Sequence, residues 1–260
     1  MKRILVTGGY GAVGRAVFAA ATQQDIEVEI HAGSCDGDLT DPATVRALVE
    51  RVRPDVIVNA AGATYGDPDT LWSANLLIPL RLLDATRQVV PDARVVLVGS
   101  AAEYGLTEPG VLIREDRPCA PNSIYGQTKL AAGQMALSLQ TPRVVVARLF
   151  NVVTSPHDPR SLLGRLAGEY AASEMDPQGA EAVRDFVALD DVGVALVALG
   201  LAPVAPHMVN VCTGTARTAA EQLGHRSARE ADLWAVGDPT LLAATTGLRL
   251  QPPDPESTLT

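Results

Sequence analysis

Aromatic side chains are scarce in this 260-residue chain, at 4% of all residues. Alanine, valine and leucine must therefore fill the core, and such a core suits helices packed on a parallel sheet better than an aromatic-rich sandwich. Hydrophobic residues make up 47% and charged residues 20%, which is typical of a globular domain and excludes a disordered or low-complexity chain.

Cysteines are also few, and the chain lacks long apolar runs. Cys35, Cys119 and Cys212 are odd in number and show no metal-ligand spacing, so the sequence predicts neither a disulfide framework nor a metal site. No run approaches the roughly 18 consecutive apolar residues of a membrane helix. Met1-Lys2-Arg3 leads directly into a short strand-like run, so we expect no signal peptide, no membrane span and a cytoplasmic location.

Basic residues are outnumbered by acidic ones, 21 to 30, which gives a formal charge of −9. The basic residues form no local cluster, so the sequence excludes a nucleic acid as partner. An anionic ligand would have to be held by individually placed cationic groups.

Strand-like apolar runs alternate with helical patterns along the first 150 residues, which is typical of βαβ units. The right-handed crossover rule then predicts an open, doubly wound parallel sheet. Composition changes after residue 150, so we expect a core of residues 1–150, to which 187–212 return, and a small lobe of 151–186 and 213–260. The predicted strands are Ile4–Val6, Ile26–Ile30, Val56–Asn59, Val95–Val98, Val144–Ala147 and Met208–Val211, and the predicted helices span 12–23, 43–52, 70–88, 123–139 and 190–200.

A glycine-rich segment, Thr7-Gly8-Gly9-Tyr10-Gly11-Ala12-Val13-Gly14, follows the first strand and opens the first helix. Gly8 permits a tight turn, Gly11 lets the backbone approach a pyrophosphate, and Gly14 lets helix and strand pack closely. The alternative is a glycine-rich turn without a ligand. The position between strand and helix favours dinucleotide binding, with Tyr10, Ala12 and Val13 also beside the cofactor.

Tyr125 and Lys129 are spaced i, i+4 on a predicted helix and share one face. A phenol has a pKa of about 10, and we expect the nearby ammonium to lower the pKa of Tyr125. Ser100 follows the Val95–Val98 strand at the carboxyl edge of the sheet, where its hydroxyl can bind a substrate carbonyl. The alternative for the pair is an amphipathic helix with an exposed lysine.

These segments, together with Asn59-Ala60-Ala61-Gly62, resemble the short-chain dehydrogenase/reductase superfamily and its extended branch of nucleotide-sugar epimerases, dehydratases and reductases. The resemblance implies an α/β Rossmann fold with a small, abbreviated C-terminal substrate-binding lobe. It assigns Tyr125 as the general acid/base, Lys129 as the residue that holds the nicotinamide ribose and tunes the tyrosine, and Ser100 as the residue that orients the carbonyl. Further cofactor-binding residues that it implies are Asp38, Leu39, Ala60, Ala61, Gly62 and Asn75.

The segments GSAAEYG (99–105), RLFN (148–151) and RDF (184–186) are similar to GDP-6-deoxy-D-mannose reductases, and an early part of the chain is similar to dTDP-4-dehydrorhamnose reductases. This resemblance implies reduction of a 4-keto sugar nucleotide in deoxysugar biosynthesis. Arg184 and Asn151 would hold the nucleotide diphosphate, and Ser100, Ala101 and Tyr125 would contact the sugar. Alternatively, Arg184 pairs with Asp185 or another neighbour, and Asn151 is a turn residue.

Departures from the family pattern narrow the chemistry. Dehydratases carry an acid pair where Ala101 and Ala102 stand, and GDP-fucose synthases carry a cysteine at Ala101, so both dehydration and 3,5-epimerisation are disfavoured. His157 lies where the family has a loop after the asparagine, from which it could reach the sugar. A lone histidine on a loop is more often a surface residue, so His157 is left outside the catalytic set.

Cofactor preference depends on the tip of the second strand, where an acidic residue would bind the ribose 2′-hydroxyl of NAD. No carboxylate stands there, and His31, Ser34 and Arg15 could accommodate a 2′-phosphate, so we expect NADP(H) in preference to NAD(H).

Two alternatives to the reductase stay open, an epimerase of the same branch and a dinucleotide-binding regulator without catalysis. The resemblance also implies a homodimer. The sequence distinguishes neither the nucleotide base nor the sugar.

Overall fold

The computed structural model describes residues 2–24, 26–31, 36–139, 143–154, 157–171, 179–225 and 233–255. Its strands are β1 (Arg3–Thr7), β2 (Glu27–His31), β3 (Val56–Asn59), β4 (Arg94–Ser100), β5 (Val144–Leu149), β6 (Asn151–Val153), β7 (Val183–Arg184), β8 (Phe186–Ala188), β9 (Met208–Val211), β10 (Arg217–Thr218) and β11 (Trp234–Ala235). Its helices are α1 (Ala12–Thr22), α2 (Pro42–Val52), α3 (Pro68–Trp72), α4 (Ile78–Val89), α5 (Ile124–Ser138), α6 (Leu162–Ala171), α7 (Leu189–Leu201), α8 (Ala219–Gln222) and α9 (Thr240–Thr246).

Six strands form one parallel sheet in the order β2-β1-β3-β4-β5-β9. The prediction of a parallel α/β sheet is confirmed, and β9 joins it beside β5 as the sequence predicted. The order of the strands reverses between β1 and β3, and open α/β sheets bind ligands at the carboxyl ends of the strands beside such a reversal. The loops after β1, β3 and β4 meet at this edge.

Helices cover both faces of the sheet because each carries an apolar stripe that water would otherwise contact. Residues of α1 and α7 join one face of the sheet in a buried cluster that includes Val17 and Leu196. Residues of α2, α4 and α5 form a second cluster on the other face, which includes Val49, Leu82 and Ala136. The sheet is therefore buried on both sides, and its site residues stand on a rigid core.

The predicted helix over 70–88 is divided in the structure. Between α3 and α4 the segment Ser73–Leu77 takes π-helical hydrogen bonding. The ring of Pro79 cannot tolerate the carbonyl of Asn75 at the usual α-helical distance, and proline has no N–H to donate to it. The backbone widens at this point, and Asn75 is turned into the protein interior.

After β5 the chain builds two further sheets, one of β6 and β8 and one of β10, β7 and β11. A third buried cluster, which includes Leu166, Phe186 and Leu223, joins this region to α6 and α8. These strands have two or three residues each, which is too short for an alternating pattern to identify them in the sequence. Within the described ranges, no helix combines the length and the apolar character that a membrane crossing needs.

Candidate active site

Two cavities adjoin at the carboxyl edge of the sheet. One, of about 380 Å³, lies towards the glycine turn, and we call it the glycine-side cavity. The other, of about 340 Å³, lies towards the short strands, and we call it the lobe-side cavity. The residues common to both linings are Ser100, Tyr125, Leu149, Phe150 and Asn151.

The glycine turn after β1 has the shape that a dinucleotide diphosphate requires. Gly8 has a φ of +70°, and a Cβ on Gly14 would lie 2.3 Å from the carbonyl oxygen of Gly8. Gly11 caps the N-terminus of α1 and offers no side-chain acceptor to the first-turn N–H groups. An anion is the natural partner of these donors and of the positive end of the helix dipole, so the turn fits a diphosphate.

Several predicted cofactor residues surround this turn. Val13, Ala60 and Gly62 line the glycine-side cavity, whereas Tyr10 is 67% exposed at the turn itself. A Cβ on Gly8 would lie 2.5 Å from the backbone nitrogen of Ala61, so the loops after β1 and β3 are packed together. The predicted residues of both loops therefore meet at one place.

Asn75, a predicted cofactor contact, binds the loop after β3 and α5 in the structure. Its side chain is buried, its Oδ1 accepts from the N–H of Ala63 at 3.0 Å, and its Nδ2 donates to the carbonyl of Ala63 at 2.8 Å and to Thr128 Oγ1 at 3.1 Å. The amide is thus used within the protein, where it joins the loop after β3 to α5.

Ser100 is the last residue of β4, and its hydroxyl oxygen accepts a hydrogen bond from the N–H of Ala102 at 3.1 Å. The backbone N–H of Ser100 donates to Glu103 Oε1 at 2.8 Å. The serine is therefore held at its backbone and at its side chain, with its hydroxyl in the wall between the two cavities.

Tyr125 and Lys129 lie in the first two turns of α5. Ser123 is the N-cap of this helix, and its hydroxyl oxygen accepts a hydrogen bond from the N–H of Gly126 at 3.1 Å. Burial raises the pKa of Tyr125, and its hydrogen bond with Ser100 opposes that rise. The prediction that Lys129 lowers this pKa is therefore wrong: the net direction is upward, because burial outweighs the hydrogen bond with Ser100, and the ammonium of Lys129 does not lower it.

Lys129 is 9% exposed, and its Nζ donates a hydrogen bond to the carbonyl of Val98 at 2.9 Å. The same Nζ lies 5.9 Å from the centroid of the Tyr125 ring. Burial lowers the pKa of Lys129 to about 8, against an opposing influence from the carboxylate of Glu103. The side chain lines the glycine-side cavity beside Gly62, where it can reach the ribose of a bound dinucleotide.

Arg184 faces the lobe-side cavity, and its Nη1 donates to the carbonyl of Val183 at 3.1 Å. Burial lowers its pKa, and no carboxylate of the described residues forms an ion pair with it. Asp185 is fully buried and instead binds the backbone of Thr213 and Gly214, at 2.8 Å each, which excludes the pairing of Arg184 with Asp185. Asn151 stands beside Arg184, and its N–H donates to the carbonyl of Asp185 at 2.9 Å.

The residues predicted for the adenine end lie between β2 and α2. Asp38 is exposed and accepts hydrogen bonds from the N–H and hydroxyl of Thr40, both at 2.8 Å, while Leu39 is packed in the core. His31 has no exposed surface, so it is not available to a 2′-phosphate as predicted, whereas Arg15 is exposed. Ser34 lies outside the described residues.

Sequence reasoning missed two contacts at the site. Tyr65 and Arg160 join the walls of the glycine-side cavity, because the Tyr65 hydroxyl donates to the carbonyl of Arg160 at 2.7 Å and the guanidinium lies 5.0 Å over the ring. Glu103 lies beneath Ser100 in an ion pair with Arg148. The Ser-x-x-Glu spacing of Ser100 and Glu103 is a capping-box signature that could have revealed it.

Comparisons with known proteins agree with this geometry. A family model described as the NAD dependent epimerase/dehydratase family matches residues 4–212. A dTDP-6-deoxy-L-talose 4-dehydrogenase (NAD(P)(+)) from Kitasatospora kifunensis is 37% identical over 242 residues, which are 84% of this chain and 76% of that protein. A dTDP-4-dehydrorhamnose reductase from Streptomyces griseus is 29% identical over 259 residues, which are 96% of this chain and 82% of that protein.

Among solved structures, that of RMD from Pseudomonas aeruginosa complexed with NADPH matches with a TM-score of 0.82 and 24% identity, over all of this chain and 95% of that chain. The likeness confirms the fold, and the family model covers both the glycine turn and the Ser100, Tyr125 and Lys129 positions. The chain therefore belongs to the NAD dependent epimerase/dehydratase family and is an NAD(P)-dependent enzyme.

Proposed function

We propose that this enzyme is a reductase of a 4-keto sugar nucleotide in deoxysugar biosynthesis. In the opposite direction the same reaction is that of a 4-dehydrogenase, which is the activity named for the relative from Kitasatospora kifunensis. The observation that carries the proposal is the shared wall of Ser100 and Tyr125, which touches both the glycine-side and the lobe-side cavity.

Ser100 would hold the keto oxygen. One acceptor position of its hydroxyl is already used by the N–H of Ala102, so its proton can be donated to a carbonyl oxygen that arrives from the lobe-side cavity. A donor that is fixed before the reaction stabilises the developing oxyanion without having to reorganise.

Tyr125 would give its proton to the same oxygen, while the bound nicotinamide supplies the hydride to the carbon. Burial raises the pKa of Tyr125 above the ordinary value of about 10, so the phenol is protonated at neutral pH and carries the proton that the reductive direction needs. Lys129, with its Nζ held 2.9 Å from the carbonyl of Val98, would bind the ribose hydroxyls of the dinucleotide.

Arg184 and Asn151 would hold the diphosphate of the substrate. A guanidinium that lacks an ion-pair partner among the described residues, in a protein with a charge of −9, is suited to a bidentate phosphate contact. The residues around the two small sheets, 151–186 and 213–260, would form the substrate-binding lobe.

For the cofactor we propose a preference for NADP(H). With His31 buried, this proposal now depends on Arg15, whose Nη1 donates to the carbonyl of Tyr10 at 2.6 Å at the surface of the glycine turn. We also propose a homodimer, because the apolar side chains of Ile124, Met135 and Leu139, in α5 and at its C-terminus, are exposed.

The experiment is to follow nicotinamide absorbance with purified protein, NADPH or NADH, and a panel of GDP-, dTDP- and UDP-linked 4-keto-6-deoxyhexoses. We expect oxidation of the cofactor with one nucleotide, and a kcat that falls by about 10²- to 10⁴-fold in Tyr125→Phe. Arg184→Met is expected to raise the KM of the sugar nucleotide by roughly 10- to 100-fold, because hydrogen bonds to charged groups contribute about 1.5–3 kcal/mol each.

Arg114→Met is the matched control, since Arg114 is exposed and its ion pairs with Asp116 and Asp238 lie away from both cavities. It should leave KM unchanged. Conversion of the sugar without net oxidation of cofactor would contradict the reductase and establish the epimerase. Cofactor binding without conversion of any member of the panel would contradict the reductase for these substrates, and an epimerase or a reductase of another ketone would become the leading hypothesis.

A further inference from the structure

Glu103 is a fully buried carboxylate directly beneath the catalytic wall. It ends the single turn Ala101–Glu103 that follows β4, and its side chain has no exposed surface. Its Oε1 accepts the N–H of Ser100 at 2.8 Å, and its Oε2 accepts from Nε of Arg148 at 2.8 Å. Each carboxylate oxygen thus has a separate partner.

The contact with Ser100 is one half of a capping box. Glu103 fixes the serine backbone, and the serine hydroxyl in turn accepts the N–H of Ala102 at 3.1 Å. The direction in which the Ser100 hydroxyl can donate is consequently set by a turn that depends on the Glu103 side chain.

Arg148 fixes the far side of this carboxylate. It lies on β5 with its guanidinium carbon 4.5 Å from the centroid of the Tyr104 ring, and its Nη2 is 3.2 Å from Cys119 Sγ. The Tyr104 hydroxyl donates to Asn210 Oδ1 on β9 at 2.7 Å. The position of Ser100 is therefore connected to three neighbouring strands of the sheet.

Glu103 also lies close to the charge of Lys129. A Cβ on Gly99 would meet Glu103 Oε1 at 2.7 Å, and Lys129 Nζ binds the carbonyl of the preceding residue, Val98, at 2.9 Å. Other titratable or charged groups around the two are Arg148 of β5, Tyr125 of α5, Cys119 of the segment before α5 and Tyr65 of the loop after β3. Of these groups only Glu103 acts as an anion on Lys129.

Stability alone does not account for the Glu103–Arg148 pair, because apolar residues of similar volume often stabilise a core as well as a buried ion pair does. Building on the proposed function, we propose that Glu103, held by Arg148, is a positioning residue of this site. One carboxylate oxygen orients Ser100, and the negative charge favours the ammonium form of Lys129.

The chain offers a direct test because it contains two lysines, Lys2 and Lys129. Protein labelled with ¹³C at the lysine ε-carbon gives two titrating NMR signals, which Lys2→Arg assigns, and the titration needs neither cofactor nor turnover. In Glu103→Gln we expect the Lys129 midpoint to fall by roughly one pH unit from its value of about 8, since an opposite charge nearby has been removed. The Lys2 signal should not move.

Glu115→Gln is the matched control. Glu115 Oε1 accepts the N–H of Asn210 at 2.8 Å in the same buried network but contacts neither Ser100 nor Lys129, so the Lys129 midpoint should equal that of the wild type. Glu103→Asp keeps the charge on a shorter side chain, and we expect it to lower kcat by about 10-fold or more while moving the midpoint less than Glu103→Gln does.

If Glu103→Gln does not fold, because it leaves Arg148 without its counter-ion, Glu103→Gln combined with Arg148→Met removes both charges. The Lys129 midpoint should again fall, but by less than in Glu103→Gln, because a neighbouring cation is lost together with the anion. An unmoved midpoint in these variants, or an equal shift in Glu115→Gln, would overturn the proposal. Absence of turnover in the wild type would contradict the proposed function alone, because the titration of Lys129 is measured without substrate.

Discussion

Lys129 shows at the scale of a single residue how the site and the fold make opposite demands. Burial disfavours its charged form and lowers its pKa to about 8, so below that pH the folded protein must keep an ammonium away from water. The unfolded chain binds this proton up to its ordinary pKa of about 10.4. Between these values the unfolded state holds more protons, so the contribution of Lys129 makes the fold more stable as pH rises.

Lys129→Met should therefore remove turnover and yet stabilise the fold near neutral pH. We expect the free energy of unfolding at pH 7 to rise by about 1–3 kcal/mol, because methionine fills the space without a buried charge. The gain should shrink as the pH increases from 8 towards 10, where the wild type no longer carries the charge. Urea denaturation at a series of pH values measures both effects.

Lys2→Met is the control for this series, since Lys2 is exposed in an ion pair with Asp55. Its free energy of unfolding should change little, as is usual for surface pairs. A gain in Lys129→Met that did not vary with pH would mean that the pKa of Lys129 is the same in the folded and the unfolded protein, which would contradict the lowering by burial.

At the scale of an element, the glycine turn is where we propose that the diphosphate of the cofactor binds. Gly14→Ala would place a methyl group 2.3 Å from the carbonyl oxygen of Gly8, and a backbone atom cannot move aside as a flexible side chain can. We expect a loss of about 1–3 kcal/mol in stability and a much weaker affinity for the cofactor. Thermal unfolding with and without NADPH measures the two changes together.

Gly168→Ala provides a matched substitution in a helix. Gly168 lies within α6, and a Cβ there would meet no atom within 4 Å. Alanine should stabilise this helix by about 0.5–1 kcal/mol and leave the cofactor-induced rise in Tm as it is in the wild type. If both variants behaved alike, close packing of the turn could not be the reason for Gly14.

Elements with strong local signals could be predicted from the sequence. The apolar runs predicted the strands of the main sheet. The candidate site at the carboxyl edge of this sheet was predicted from the glycine turn and from the spacing of Tyr125 and Lys129. The widened turn at Asn75 could not be predicted, because the effect of Pro79 depends on how the helix is held by α5. The strands after β5 are too short to show a period, and Glu103 gains its role only from the burial that places it against Arg148.

At the scale of the whole molecule, α5 serves the site with one face and is exposed on another. Ile124 and Met135 are each 42% exposed and lie within one stripe of the helix, and Leu139 at its C-terminus is 43% exposed. Such a stripe on the helix that carries Tyr125 suits pairing with a second copy of the chain.

In analytical ultracentrifugation we expect the wild-type protein to sediment as a dimer of two 27.2 kDa chains. The Met135→Glu variant should sediment as a monomer. A charge within a buried two-fold interface meets its own copy, which adds repulsion to the cost of desolvation. Val204→Glu places the same charge at a residue that is 81% exposed after α7, and it should stay dimeric. A monomeric wild type, or a dimer in Met135→Glu, would disprove pairing through α5.

The wall shared by the two cavities also has a stereochemical consequence. On the proposed function, Ser100 and Tyr125 would both approach the keto oxygen from this wall, so a ketone bound from the lobe side would turn one of its two faces towards the glycine side. Presenting the other face would require the sugar ring to turn over and its diphosphate to leave the proposed contact with Arg184. The placement of the two side chains would thus decide the handedness of the new carbinol centre, and we expect reduction to yield one epimer at carbon 4.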